Sequence, residues 1–160
     1  MQTLYSLDDQ LVDAVFLADV DDVRLLLEQG ANPDAWDEEQ RTPLMNATRD
    51  CHSEMVRILL EAGADPNLRD EDDWTALDAA VYRGTFDTVW LLIHYGAEVK
   101  AQNDTGRSVL LRAGLAVGGS TEIADLLGRW GARSHVPVAS GPNAQRRGLP
   151  TAEQDGPCSH

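Results

Sequence analysis

The sequence predicts an all-α solenoid, in which short helix-turn-helix units joined by turn or hairpin loops stack into a rod. Three observations predict it. Leu11, Leu44, Leu77 and Leu110 recur every 33 residues, each followed three positions later by Ala14, Ala47, Ala80 or Ala113. A glycine-alanine pair keeps that interval at Gly30-Ala31, Gly63-Ala64 and Gly96-Ala97. It returns after 35 residues at Gly131-Ala132, the extra two lying near Gly118-Gly119. Between these landmarks "VRLLLEQGA", "VRILLEAGA", "VWLLIHYGA" and "IADLLGRWGA" realign one aliphatic stripe. A period of this length marks units that cannot each bury a core alone and must stack to do so.

The elements follow in order. In each unit the first helix carries Leu-x-x-Ala, whose small alanine lets the neighbouring helix approach closely. Thr42 and Thr75 suit the N-terminal cap of such a helix, and Pro43 suits its first turn, where a missing N–H costs nothing. The second helix sets aliphatics three and four apart on one face. An acid precedes each stripe, at Asp21, Glu54, Asp87 and Glu122. The glycine of each Gly-Ala pair then ends the helix in a left-handed cap. Segments 32–41, 65–74 and 98–107 are rich in Asn, Asp, Pro and Gly and read as turns or hairpins. The repeat domain is expected over 1–134, in units of approximately 5–36, 37–69, 70–102 and 103–134, with the outer two as caps. Residues 135–160 hold four of the seven prolines and read as a flexible or loosely packed tail.

Here the residues carry a resemblance. "RTPLMNATRDCHSEMVRILLEAGADPN" (41–67) resembles an ankyrin repeat, and "WTALDAAVYRGTFDTVWLLIHYGAEV" (74–99) is similar to the next one. The resemblance spans roughly 9–134, three full units and part of a fourth. The histidine usual after Thr-Pro-Leu is Met45, Asp78 and Leu111 here, so the family's hydrogen bond at that position is expected to be lost. The usual turn glycine is Gln40 and Asp73, surviving only as Gly106. The resemblance implies that hairpin tips and the exposed side of each first helix line a concave, partner-binding face. Stepping by 33 residues puts Trp36, Glu38, Glu39, Arg41, Arg49 and Asp50 on that face, followed by Arg69, Glu71, Asp72, Trp74, Tyr82 and Arg83. Phe16 and Leu17 hold the matching helix position in the first unit. Trp, Tyr and Arg are the types enriched among interface hot spots.

Charge narrows the partner. The formal charge is −14, and residues 1–73 account for all of it, with 19 Asp or Glu against 5 Arg; residues 74–160 balance at 8 against 8. Such a field attracts a basic protein and repels phosphate backbones and anionic lipid. The N-terminus lacks the basic start and apolar core of a signal peptide, and no apolar stretch is long enough to cross a bilayer. Cys51 and Cys158 lie far apart and read as unpaired thiols in a reducing compartment, so a cytoplasmic chain, monomeric when free, is expected.

No catalytic residue, cofactor or metal is expected. Cys51 and His52 are adjacent, and neighbouring side chains on a helix diverge by about 100°. His94, His135 and His160 show no zinc spacing. A calcium loop opening at Asp70 would need a glutamate where Val81 stands. Bland alternatives accompany the surface residues. The acid clusters suit solvated turns, Trp36 and Trp74 could brace hairpins, and residues 1–8 could cover Phe16 and Leu17. Trp90 and Trp130 read as packing residues of second helices. The leading expectation is a non-catalytic protein-interaction module for a basic partner, in its tightest form an inhibitor or immunity protein for a toxin or nuclease. An adaptor bridging two proteins is the alternative, and a Cys51-dependent enzyme is a remoter one.

Overall fold

Two rows of helices make up the computed structural model, which describes residues 5–99 and 121–131. One row holds α1 (Leu7–Phe16), α3 (Pro43–Arg49) and α5 (Ala76–Arg83). The other holds α2 (Val20–Glu28), α4 (Ser53–Glu61), α6 (Phe86–His94) and α7 (Thr121–Gly131). Neighbours pack along each row, α1 on α3 on α5 and α2 on α4 on α6 on α7, while α1–α2, α3–α4 and α5–α6 close the units. This is the expected all-α stack of three units plus part of a fourth. Leu110, Ala113, most of the 98–107 loop and the 135–160 tail lie outside the described residues.

The repeated leucines and alanines occupy the seam between the rows. Leu11, Leu44 and Leu77 are fully buried, as are Ala47 and Ala80, in one continuous core with Val23, Met55, Leu59, Val89 and Leu92. Ile123 and Leu127 of α7 extend that core. Each large aliphatic contributes about 1.5–3 kcal/mol by leaving water. Trp90 and Trp130 pack partly buried against it, as second-helix residues were expected to.

The first helices start where the sequence says. Thr42 caps α3, with Pro43 in its first turn, and Thr75 caps α5. One expectation needs correction. The hydrogen bond at the missing-histidine position persists with other chemistry, because a side chain in the first helical turn need only reach back to the cap. The Asp78 carboxylate accepts from the Thr75 backbone N–H and hydroxyl, both at 3.0 Å. The Met45 sulfur receives the Thr42 N–H at 3.5 Å.

Second helices end in a Schellman motif. In the second unit the Ala64 N–H donates to the Leu59 carbonyl and the Gly63 N–H to the Leu60 carbonyl, while the Ala64 side chain is buried. Gly63 has φ +96°, where a side chain is strained although nothing stands in its way. Gly30 and Gly96 repeat the arrangement.

Turn segments do more than connect. Asp34 accepts the Asp65 N–H through Oδ1 at 2.8 Å, and Asn67 accepts the Glu98 N–H at 2.8 Å, so each unit's turn is tied to the next. The hairpins close without glycine. Gln40 and Asp73 take left-handed φ values of +55° and +63°, and Asp37 N–H···O=C Arg41 and Asp70 N–H···O=C Trp74 bonds pinch the loops at 2.9 and 3.0 Å.

Cys51 stands in the left-handed turn after α3, at φ +60°, and is partly buried.

Candidate functional site

Asp37 and Asp70 stand 33 residues apart and build the two hairpins in the same way. Asp37 Oδ1 accepts from the Glu39 and Arg41 N–H groups at 2.9 and 2.7 Å. Asp70 Oδ1 accepts from the Asp72 and Trp74 N–H groups at 3.0 and 2.8 Å. Of the acid run 70–73, Asp70 is therefore a loop-former, while Glu71 and Asp72 are exposed.

The two hairpins then diverge, and a groove lies beside the second. In the first, the Asn46 amide reaches from α3 to Asp37 Oδ2 at 2.7 Å, and Arg41 pairs with Asp37 and Glu39 at 3.6 and 2.6 Å. One unit later Asn46 becomes Ala79 and Arg41 becomes Trp74, so neither of those two contacts is repeated. What remains is a groove of about 370 Å³ lined by Met45, Arg49, Asp70, Asp72, Trp74, Thr75, Ala79, Tyr82 and Arg83. Trp74 and Tyr82 meet edge to face in its wall, with centroids 5.7 Å apart and planes at 78°. Such aromatic pairs contribute about 0.5–1.5 kcal/mol beyond burial.

The structure gathers five expected partner residues at this groove: Arg49, Asp72, Trp74, Tyr82 and Arg83. Glu71 stands beside them on the loop, and Asp50 is exposed at the end of α3. Trp36, Glu38 and Glu39 are exposed around the first hairpin, Trp36 by 46%. Trp74 is half-buried and does brace its hairpin through Tyr82, which itself keeps 44% of its surface. Phe16 and Leu17, at the end of α1, are 80% and 74% exposed, so residues 5–8 do not cover them. Arg41 and Arg69 are half-buried, and Arg69 pairs with Asp73, so both hold their own hairpins together.

Met45, Asp70, Thr75 and Ala79 also line the groove and were not foreseen. The Asn46-to-Ala79 change was the available signal, since a small residue in place of a hairpin-filling amide opens space. Among the described residues no helix is long and apolar enough to cross a membrane.

Comparison with known proteins agrees with the architecture. The family model described as Ankyrin repeats (3 copies) matches residues 11–103, more than half of the 160 residues. No curated protein gives a significant match to the chain.

Proposed function

Because this chain belongs to the ankyrin-repeat family, whose repeats serve as protein-interaction modules and are in general non-catalytic, we propose that it binds a basic protein through its hairpin face. One observation carries the reading. Exposed acids at both hairpin tips, Glu38, Glu39, Glu71 and Asp72, flank Trp36 and the Trp74–Tyr82 groove on the side where α3 and α5 are open. Acids of this kind steer a cationic partner and speed encounter, while half-exposed aromatics hold it once it arrives. In its sharpest form the module is an inhibitor that occupies the polyanion-binding cleft of a toxin or nuclease. A polyanion such as heparin would then compete with it for that partner. The chain is read as monomeric when free and as carrying no cofactor.

The test is a selection of random peptides displayed on phage against the purified chain, with synthetic copies of the binders measured by calorimetry. The selected peptides should be rich in Lys and Arg. Neutralising the tips together (Glu38→Gln, Glu39→Gln, Glu71→Gln, Asp72→Asn) should weaken them by about tenfold or more. Affinity should fall as salt rises. Binders without basic residues, or affinity indifferent to salt and to the tip acids, would remove the proposal.

A further inference from the structure

We propose that the groove between α3 and α5 receives a carboxylate side chain of the partner, held by Arg49 and Arg83 against the Trp74–Tyr82 pair. The inference rests on the reading of this face as the partner surface and sharpens it. A partner that is basic overall would present an embedded acid, ringed by its own lysines and arginines.

Arginine usage singles out the two residues. Of the seven arginines among the described residues, Arg24, Arg41, Arg69 and Arg129 are in ion pairs with this chain's own acids. Arg49 and Arg83 are exposed and have no ion pair or hydrogen bond to any described residue, although 24 of the chain's 27 acids lie among the described residues. The remaining one, Arg57, is half-buried on α4, in the other row. Both unpaired guanidiniums lie on the groove, Arg49 from the end of α3 and Arg83 from the end of α5. Favourable placement at a helix C-terminus does not account for them by itself, because α1, α2 and α4 end without any basic residue.

The lining also holds two carboxylates, Asp70 and Asp72, and the arginines differ from them in having no bond within the loop. Asp70 Oδ1 is taken up by two backbone N–H groups of its own loop, and Asp72 is exposed. The walls are Met45, Ala79 and the two aromatic rings. Guanidinium forks match a carboxylate in two-pronged geometry, and the rings can cover its methylenes. A partner lysine beside Arg49 and Arg83 would meet two like charges, and the exposed acids of the outer tips suit it better. That alternation fixes register. At about 370 Å³ the groove has room for a side chain and not for a helix. A phosphorylated side chain carries close to twice the charge. The chain's net −14 therefore opposes it more strongly than a carboxylate.

The experiment uses peptides from the displayed library described above. Each acidic position in a binder is changed to its amide, and each peptide is measured against the wild-type chain, Arg49→Gln, Arg83→Gln and the double variant. Both arginines are exposed, and circular dichroism checks that the variants keep their helices. One acidic position should lose about tenfold on conversion to the amide, and the same loss should accompany the arginine changes without adding to it. Arg83→Glu should be rescued by a peptide carrying lysine at that position. If binders lack an acid, or acid and arginine effects simply add, this inference falls while the tip neutralisation still weakens binding. Tighter binding with phosphoserine at that position would overturn the carboxylate assignment. Selection of no peptide at all would overturn both proposals.

Discussion

Asp34 carries its charge at the seam between the first and second units, and burial pushes its carboxyl above the ordinary carboxylate range. The Asp65 N–H opposes that shift and the Asp65 charge adds to it. The next unit shows a better solution in the same place. Asn67 accepts the Glu98 N–H at 2.8 Å and also donates its amide to the Gly96 carbonyl at 3.1 Å. Asp34→Asn should therefore keep the Asp65 bond and gain a donor aimed at Gly63, raising stability at neutral pH. The gain should be modest, a few tenths of a kcal/mol to about 1 kcal/mol, because the site is partly solvated. Its pH dependence has a definite sign. A carboxyl whose folded pKa is raised opposes folding when ionised, and that penalty disappears as pH falls through the folded pKa. The advantage of Asn in urea titrations should thus be largest near neutrality and fade in acid. Asp9 moves oppositely: the Ser6 backbone N–H and hydroxyl hold its carboxyl below the ordinary range, so its contribution is present near neutrality and lost in acid. A second pair of substitutions tests the turns. Gly63→Ala should destabilise by about 1–2 kcal/mol through the left-handed backbone alone. Ala18→Gly, at φ +58° and one unit before the left-handed Cys51, should stabilise by a few tenths of a kcal/mol.

Helices explain why most of the fold could be read from the chain. Leu-x-x-Ala placed one filler and one spacer on each first helix, and Leu77 and Ala80 are both fully buried in α5. Ala80→Leu should push α5 off its neighbours at a cost of about 1–3 kcal/mol, seen as a lower urea midpoint. Functional detail was less legible, for a reason that can be named. The 33-residue step tells which positions share a face, but not whether a charged residue there is already engaged. Arg41 and Arg49 look equivalent in the sequence. One is half-buried between Asp37 and Glu39, and the other stands at the groove without a partner among the described residues. Likewise, Ala79 lines the groove where Asn46, one unit earlier, is bonded into its hairpin; the change of residue stands in the sequence, and the contact it removes does not.

At the scale of the molecule, charge acts on folding and on association with opposite sign. The formal −14 is self-repelling, so added salt should raise the thermal midpoint by roughly a few degrees while weakening capture of a basic partner. Opposite salt responses of melting temperature and affinity, measured on one preparation, check this. The units stack in chain order from α1 to α6, and the acid excess belongs wholly to residues 1–73. A bias along the sequence is therefore also a bias along a line in space. In the field of a cationic body the molecule turns like a compass needle, with its first two units leading. The approach is aligned before any atoms touch, and a visitor meeting it the wrong way round finds the third unit, where residues 74–99 hold only three acids, set against Arg83.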